Sequence, residues 1–288
     1  MTPLVPLRYR VRMPNVQTGT LYIVTTPIGN LEDLTPRAAR VLSEVALIAA
    51  EDTRQSRKLL THLGISNHLV SYNEHNAAKR TPGLLQTLET DDIALVSDAG
   101  VPAVSDPGAD LVRAAAEHGI RVVPIPGPSA VTAALSVAGM RSADFKFVGF
   151  APRAAGARRK LFGELQNEQA TLVVFEAPHR VRATLEAIAE VLGDRPMAIC
   201  REITKLHEEI FRGTATESLA HFENPRGEFV FVIEGALERV DAIADPDGAR
   251  DALATLKARG ESRRDAVVQV TDAFGVSKRE AYKLWLAV

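Results

Sequence analysis

LVSDAGVPAVSDPG, residues 95–108, is the stretch whose reading decides the fold. The apolar run 93–96 leads into Ser97-Asp98-Ala99-Gly100. Pro102, a second Ser-Asp pair (Ser105-Asp106) and Pro107 follow, and a helix-like segment begins after Gly108. A buried strand that ends on a carboxylate and a glycine turn is where open α/β sheets place ligands. A plain strand-to-helix loop with Asp as helix cap has the same composition. A second loop of similar chemistry, residues 124–130 (PIPGPSA), follows the next apolar run and favours the ligand reading. Two rigid, small-residue loops at successive strand ends make a floor and a wall for one molecule.

Upstream, residues 20–26 (TLYIVTT) are β-branched and aromatic, which predicts a strand. It halts at Pro27-Ile28-Gly29-Asn30. Thr35-Pro36 reads as an N-cap with proline at the first helical position, a helix covers 37–43, and a second apolar run covers 45–50. Strand, glycine turn, helix and strand make a parallel βαβ unit. The chain contains no G-x-G and no Walker A pattern, which argues against a dinucleotide dehydrogenase or P-loop enzyme. Glu51-Asp52-Thr53-Arg54 follows the second strand, as the capped start of a surface helix or as a charged lip of a cleft. A short strand at 69–72 ends in the polar cluster 71–76, which either contacts substrate or caps the helix starting near Ala77. His75 has no partner histidine at ligand spacing, so no metal is expected. Residues 110–118 read as a helix and 121–125 as a strand. Pro126-Gly127-Pro128-Ser129-Ala130 then opens a small-residue helix at 130–138, where Ser129 is either a cap or a ligand contact.

The chain has 288 residues, length for about two domains of roughly 150 residues. Its net charge of −2 supplies no global basic field, so any nucleic acid must be held by local patches. The single cysteine, Cys200, excludes an intrachain disulfide and fits a reducing compartment; its apolar neighbours 197–199 predict burial. No apolar run approaches the roughly 18 residues of a membrane span, so a cytoplasmic protein is expected. Residues 1–18 read as a basic, proline-broken, disordered tail, with Met13 as an alternative start.

In the second half, residues 145–151 (FKFVGFA) predict a strand, followed by Arg153, Arg158, Arg159 and Lys160 in a Gly/Ala-containing loop. Residues 141–160 carry six basic and one acidic residue. Such a run is a solvated face or a phosphate-binding patch. Residues 171–176 (TLVVFE) read as a buried strand ending on Glu176, with a helix at 181–192. Strands are expected at 196–200 and 227–234, with weaker alternation at 207–212. After a break at 245–248, three short helices are expected at 249–259, 262–274 and 277–287, with Gly260 and Gly275 at their ends and a capping box at 277–280. Residues 249–287 carry eight basic and five acidic side chains.

Six motifs stand in order: Thr26-Pro27-Ile28-Gly29-Asn30, Glu51-Asp52-Thr53-Arg54, Ser97-Asp98-Ala99-Gly100-Val101-Pro102, Pro126-Gly127-Pro128-Ser129-Ala130, Glu176-Ala177-Pro178-His179-Arg180 and Arg201-Glu202-Ile203-Thr204-Lys205. Together, over about residues 20–235, they resemble the tetrapyrrole-methylase superfamily, in its branch that 2′-O-methylates a cytidine of 16S ribosomal RNA near the decoding centre. The resemblance implies two α/β domains, at 19–126 and 127–240, with S-adenosylmethionine in the cleft between them. It also implies a small helix-turn-helix-like extension at 246–288 that docks RNA or packs on the main body. Small-molecule relatives usually carry Gly-Asp-Pro where this chain has Ser97-Asp98-Ala99, and the departure points to the RNA-modifying branch.

Carried over residue by residue, the donor contacts are Pro27, Ile28, Ser97, Asp98, Ala99, Val101, Ser129, Ala130, Phe175 and Glu176. Asp98 positions the donor, whereas Asp106 reads as a turn or cap. The 2′-hydroxyl is too weak an acid to react unaided, so a positive charge or a proton acceptor is needed. Lys205 and Glu202 are the candidates, with Glu176 in reserve; a structural salt bridge between Lys205 and Glu202 is the alternative. Arg54, Arg153, Arg158, Arg159, Lys160 and Arg180 are the candidate RNA contacts. The partners implied are the 16S ribosomal RNA or the small subunit and a second copy of the chain. Two other functions stay open, methylation of a tetrapyrrole precursor and a non-catalytic RNA-binding assembly factor.

Overall fold

The computed structural model describes residues 18–237, 246–274 and 276–288. The basic tail, Met13, Asp245 and Gly275 lie outside the described residues. The chain divides after Gly235 into an α/β unit and a helical unit.

The first lobe of the α/β unit is a sheet of five parallel strands, β1 (Thr20–Val24), β2 (Leu47–Ala50), β3 (Leu69–Ser71), β4 (Ile93–Val96) and β5 (Arg121–Ile125), in the order β3-β2-β4-β1-β5. Helices α1 (Pro36–Glu44), α2 (Thr53–His62), α3 (Ala77–Thr87) and α4 (Ala109–Glu117) connect them. β2 and β4 are buried along their whole length, as expected of strands covered on both faces. Thr35 caps α1 by accepting the Ala38 N–H at 3.1 Å, and Asp52 caps α2 through the Arg54 N–H at 2.8 Å.

The second lobe is a mixed sheet in the order β6-β7-β10-β8-β9: β6 (Phe145–Phe150), β7 (Thr171–Glu176), β8 (Met197–Arg201), β9 (Glu209–Gly213) and β10 (Phe229–Ile233). β6 and β7 run parallel and the remaining pairs antiparallel. Helix α5 (Ala130–Ala138) packs on one face, with Val131, Ala134 and Leu135 against Val173, Ala198 and Val230. Helices α6 (Ala155–Glu164), α7 (Val181–Leu192) and α8 (Ala215–His221) follow in this lobe, and Phe162, Leu185 and Ala215 join Leu172, Val174 and Phe231 in the core on the other face. The segment expected as a basic loop at 153–160 is thus largely helix α6. Its glycines, Gly156 and Gly163, mimic loop composition, but burial of Phe162 in the core overrides their low propensity.

The helical unit comprises α9 (Pro246–Ala258), α10 (Arg263–Phe274) and α11 (Lys278–Ala287) around Leu253, Ala266, Val270, Ala281 and Trp285. Ser262 and Ser277 cap the last two helices, accepting the N–H groups of Asp265 and Glu280. Lys257 lies over the Trp285 ring and Arg263 over the Tyr282 ring.

Candidate active site

The sheet order sets the site. β4, β1 and β5 are neighbours, so the loops at their C-terminal ends (97–108, 25–35 and 126–129) emerge side by side. Thr26 and Gly100 exchange both backbone hydrogen bonds, at 2.9 and 3.0 Å, and the Thr26 hydroxyl donates to the Ser97 carbonyl. Gly100 adopts φ +77°, and a Cβ there would stand 3.3 Å from Ile28 Cγ2. The turn beyond it carries two non-glycine residues in the left-handed region, Ala103 (φ 67°) and Ser105 (φ 63°). The double turn folds residues 104–106 back over the strand end.

Between the two lobes lies a cavity of about 480 Å³, within the range of small-molecule sites. Of the residues assigned to the donor, Ile28, Asp98, Ala99, Val101, Ser129, Ala130, Phe175 and Glu176 line it. Pro27 and Ser97 are not in its wall. Ser97 is buried, and its hydroxyl points at the Ala99 carbonyl and at Asp106. The Ser129 side chain makes no capping bond to α5, and the residue lines the cavity.

Glu51, Asp98 and Asp106 are three of the five acidic residues in this wall, with Glu176 and Glu228. Burial pushes the first three above their ordinary values, and repulsion adds to it, from Asp106 and Asp98 at Glu51, from Asp98 at Asp106 and from Asp52 at Asp98. The Asp98 Oδ1 accepts the Asp52 N–H at 3.0 Å, and Glu51 Oε2 accepts the Asp98 N–H at 3.3 Å. Glu51 is therefore a lip of the cleft, while its neighbour Asp52 caps α2; both readings of that motif hold, on adjacent residues. Cys200 also borders the cavity, with its thiol buried and pushed up to about 11, far from a reactive thiolate.

Glu176 contributes to the wall, but its side chain is 0% exposed. Its carboxylate takes Arg180 Nη2 at 2.6 Å, the Ala177 N–H at 2.8 Å and the Thr184 hydroxyl at 2.6 Å. A carboxylate so engaged organises the start of α7 and is closed to a proton from substrate. Lys205 and Glu202 stand at the rim, outside the wall. Lys205 Nζ donates to Glu202 Oε1 at 2.9 Å and to Glu228 Oε2 at 2.8 Å, and Glu228 does line the cavity. Burial opposes the lysine's charge, but the two carboxylates outweigh it and hold the ammonium above its ordinary range. Glu202 is likewise opposed by burial, yet the Glu228 N–H and Lys205 draw it down. Both are therefore charged at neutral pH. The stem of Lys205 crosses Gly29, where a Cβ would come within 2.4 Å of Lys205 Cγ. Gly29 is small so that this lysine can reach across the first loop.

The basic candidates separate by burial. Arg158 is only 6% exposed and donates to the carbonyls of Pro152 and Arg153, and Arg180 is held by Glu176 and the Ala151 carbonyl. Neither presents its charge to solvent, which corrects their assignment as phosphate contacts. Arg54, Arg159 and Lys160 are exposed but paired with Asp52, Glu190 and Glu164. Arg153 is exposed, with no ion-pair partner among the described residues. Three cavity residues have roles that sequence reasoning missed: Asp106, set aside as a turn residue, Glu228, and Phe150 at the end of β6. The second Ser-Asp pair was a signal for Asp106; the other two depend on register in a mixed sheet.

A family model of tetrapyrrole (corrin/porphyrin) methylases matches residues 20–218. The chain is 44% identical over 277 residues to ribosomal RNA small subunit methyltransferase I of Halalkalibacterium halodurans, covering 93% of this chain and 94% of that protein. It is 42% identical to the Bacillus subtilis protein of the same name, over 92% and 93% of the two chains. The Thermotoga maritima protein of that name is 48% identical over 220 residues, 99% of its own length but 75% of this chain. Among solved structures, uroporphyrin-III-C-methyltransferase from Thermus thermophilus (TM-score 0.54, 21% identity, 75% of this chain and 94% of that one) shares the fold. So does a diphthine synthase (TM-score 0.58, 14% identity, 75% and 90%).

Proposed function

This chain belongs to the tetrapyrrole methylase family, and on that premise we propose that it transfers a methyl group from S-adenosylmethionine to the 2′-oxygen of a cytidine in small-subunit ribosomal RNA. The reading is carried by the identity, over more than nine-tenths of the chain, to methyltransferases named for that RNA. A tetrapyrrole substrate has no such support, because the tetrapyrrole enzymes match at 21% identity or less and speak only for the fold.

The cavity fits the donor. Its volume suits a nucleoside-sized molecule, and its acidic lining of Glu51, Asp98 and Asp106 suits a cationic one. The carboxylate of Asp98, aligned by the Asp52 N–H, accepts hydroxyl or amino donors; Ser129 and the start of α5 meet the other side; Ile28, Val101 and Phe175 exclude water. When bound, S-adenosylmethionine supplies an electrophilic methyl group on a sulfonium.

Catalysis here is mainly positioning of the ribose oxygen in line with that methyl. Lys205, fixed as an ammonium at the rim, supplies the positive charge that makes a nearby hydroxyl more acidic; it does not act as a base. Arg153, exposed and without an ion-pair partner among the described residues, offers its charge to phosphate, and the basic excess of residues 249–287 adds further contacts. In the same reading the α/β unit carries the chemistry and the helical unit serves docking. A cytoplasmic homodimer acting near the decoding centre belongs to the same reading.

The test is a comparison of acceptors: purified protein with methyl-labelled donor, offered small ribosomal subunits lacking the modification or a uroporphyrinogen-type tetrapyrrole. Label is expected in the RNA alone. Label in the tetrapyrrole, or donor binding without transfer to any RNA, would overturn the proposal.

A further inference from the structure

Phe150 is a large aromatic side chain left 56% exposed at the cavity wall, in a protein whose other cavity aromatics are at least half buried. Its placement depends on a specific distortion. Along β6, Phe147 pairs with Val173, but Gly149 pairs with Val174 and Phe150 with Phe175, so one residue is inserted between Phe147 and Gly149. In a regular strand, residues three apart point to opposite faces. The bulge rotates the end of the strand, and Phe147 and Phe150 come to lie on the same face. Both rings now meet Phe175 edge-on, at centroid distances of 4.8 and 5.6 Å. Gly149 takes the left-handed conformation this requires (φ +74°), and a Cβ on it would lie 3.5 Å from the Ser105 hydroxyl of the central loop. Bulges beside active sites commonly re-aim a side chain in this way. Here the bulge turns an aromatic ring out of the other face and onto the cavity mouth, with Phe175 bracing it from below and solvent beyond.

We propose that Phe150 is the platform on which the base of the target nucleotide stacks while its ribose is presented to the methyl donor. Unpaired RNA bases splay out and stack on aromatic side chains, so an exposed aromatic face at the mouth can hold the base of a nucleotide drawn into the site. The ring lies at the open mouth, where a polynucleotide arrives, and not on the loop floor formed by Ile28, Asp98 and Ser129. Arg153, three residues further on and unpaired among the described residues, is placed to hold a phosphate of the same strand. This inference rests on the RNA substrate proposed above.

The test uses the full chain, methyl donor and unmodified small ribosomal subunits. Phe150→Ala is expected to lower kcat/KM for subunits by roughly ten- to a hundred-fold, the range of one base–aromatic stack. Donor affinity, measured by calorimetry without RNA, is expected to stay within about twofold of wild type. Phe150→Trp should restore activity, whereas Phe150→Leu, which keeps apolar bulk but offers no aromatic face, should behave like alanine. The Leu/Trp pair decides the matter even if the alanine variant folds poorly. Equal activity of the Leu and Trp variants, or a loss confined to donor affinity, would overturn the proposal; the latter would assign the ring to the donor's adenine. A wild-type protein that methylates no RNA would instead refute the substrate on which it rests.

Discussion

Replacing Glu176 with alanine is expected to cost the α/β unit about 3–5 kcal/mol, the loss typical when one partner is removed from a buried ion pair. The carboxylate is fully enclosed and serves three donors at 2.6–2.8 Å, and the Arg180 side chain that depends on it is itself only 14% exposed. Without it the guanidinium keeps the Ala151 carbonyl but has no countercharge among the described residues. Thr184→Val removes one donor at constant volume, and a hydrogen bond to a charged group is worth about 1.5–3 kcal/mol. The two losses share a partner and cannot add. In the double variant the valine faces no carboxylate, so its cost approaches that of Glu176→Ala alone. Urea unfolding followed by far-UV circular dichroism is the assay. Fluorescence is unsuitable, because Trp285, the only tryptophan, sits in the helical unit. A Glu176→Ala loss below about 1 kcal/mol, or additive losses in the double variant, would refute the reasoning.

Three further outcomes are expected. Asp98→Ala should weaken S-adenosylmethionine binding by roughly tenfold or more in calorimetry, since a charge-assisted hydrogen bond is worth about 1.5–3 kcal/mol; intact donor affinity with reduced turnover would contradict its donor-positioning role. Lys205→Ala should lower kcat while leaving donor affinity unchanged, and Gly29→Ala should reproduce that profile, because the new methyl would displace the lysine stem; normal kcat in either variant removes Lys205 from the chemistry. The third concerns pH. Glu51 and Asp106 hold their protons more tightly folded than unfolded, so each withdraws stability as pH rises through its unfolded value of 4.5 or 3.8, and the penalty is complete above the folded value. Glu51→Gln with Asp106→Asn should therefore raise stability at pH 7 by chemical denaturation. That gain should vanish below about pH 3.8, and a gain persisting there would rule out ionisation as its cause.

Local chemistry made much of the fold readable. Helices α5 and α7 and strand β7 fall where prolines and apolar runs placed them, because those signals act within a few residues of the boundary. Two loops bounding one site were foreseen from their composition and the first loop was added by the family resemblance; Ile28, Asp98 and Ser129 do line one cavity. Other features depended on tertiary structure. Asp106 reaches the cavity because Ala103 and Ser105 adopt left-handed backbone, which neither residue type advertises. Phe150 reaches it through a bulge that exists only relative to β7. The basic run at 153–160 divides into exposed and buried members because α6 packs through Phe162, and a count of charges cannot tell which face an arginine occupies. Lys205 and Glu202 were read both as catalytic groups and as a salt bridge. They do form the bridge, and the addition of Glu228 carries it to the edge of the cavity.

In the proposed function the cavity between the two lobes delivers a methyl group to a ribose oxygen of RNA. The most direct measurement is nucleoside mass spectrometry of small-subunit RNA after incubation with this protein and a deuterated-methyl donor. Label is expected in a single nucleoside, 2′-O-methylcytidine, and is expected to disappear with Asp98→Ala at low donor concentration. Label on a base atom, on another nucleoside, or nowhere in the RNA would contradict the proposal.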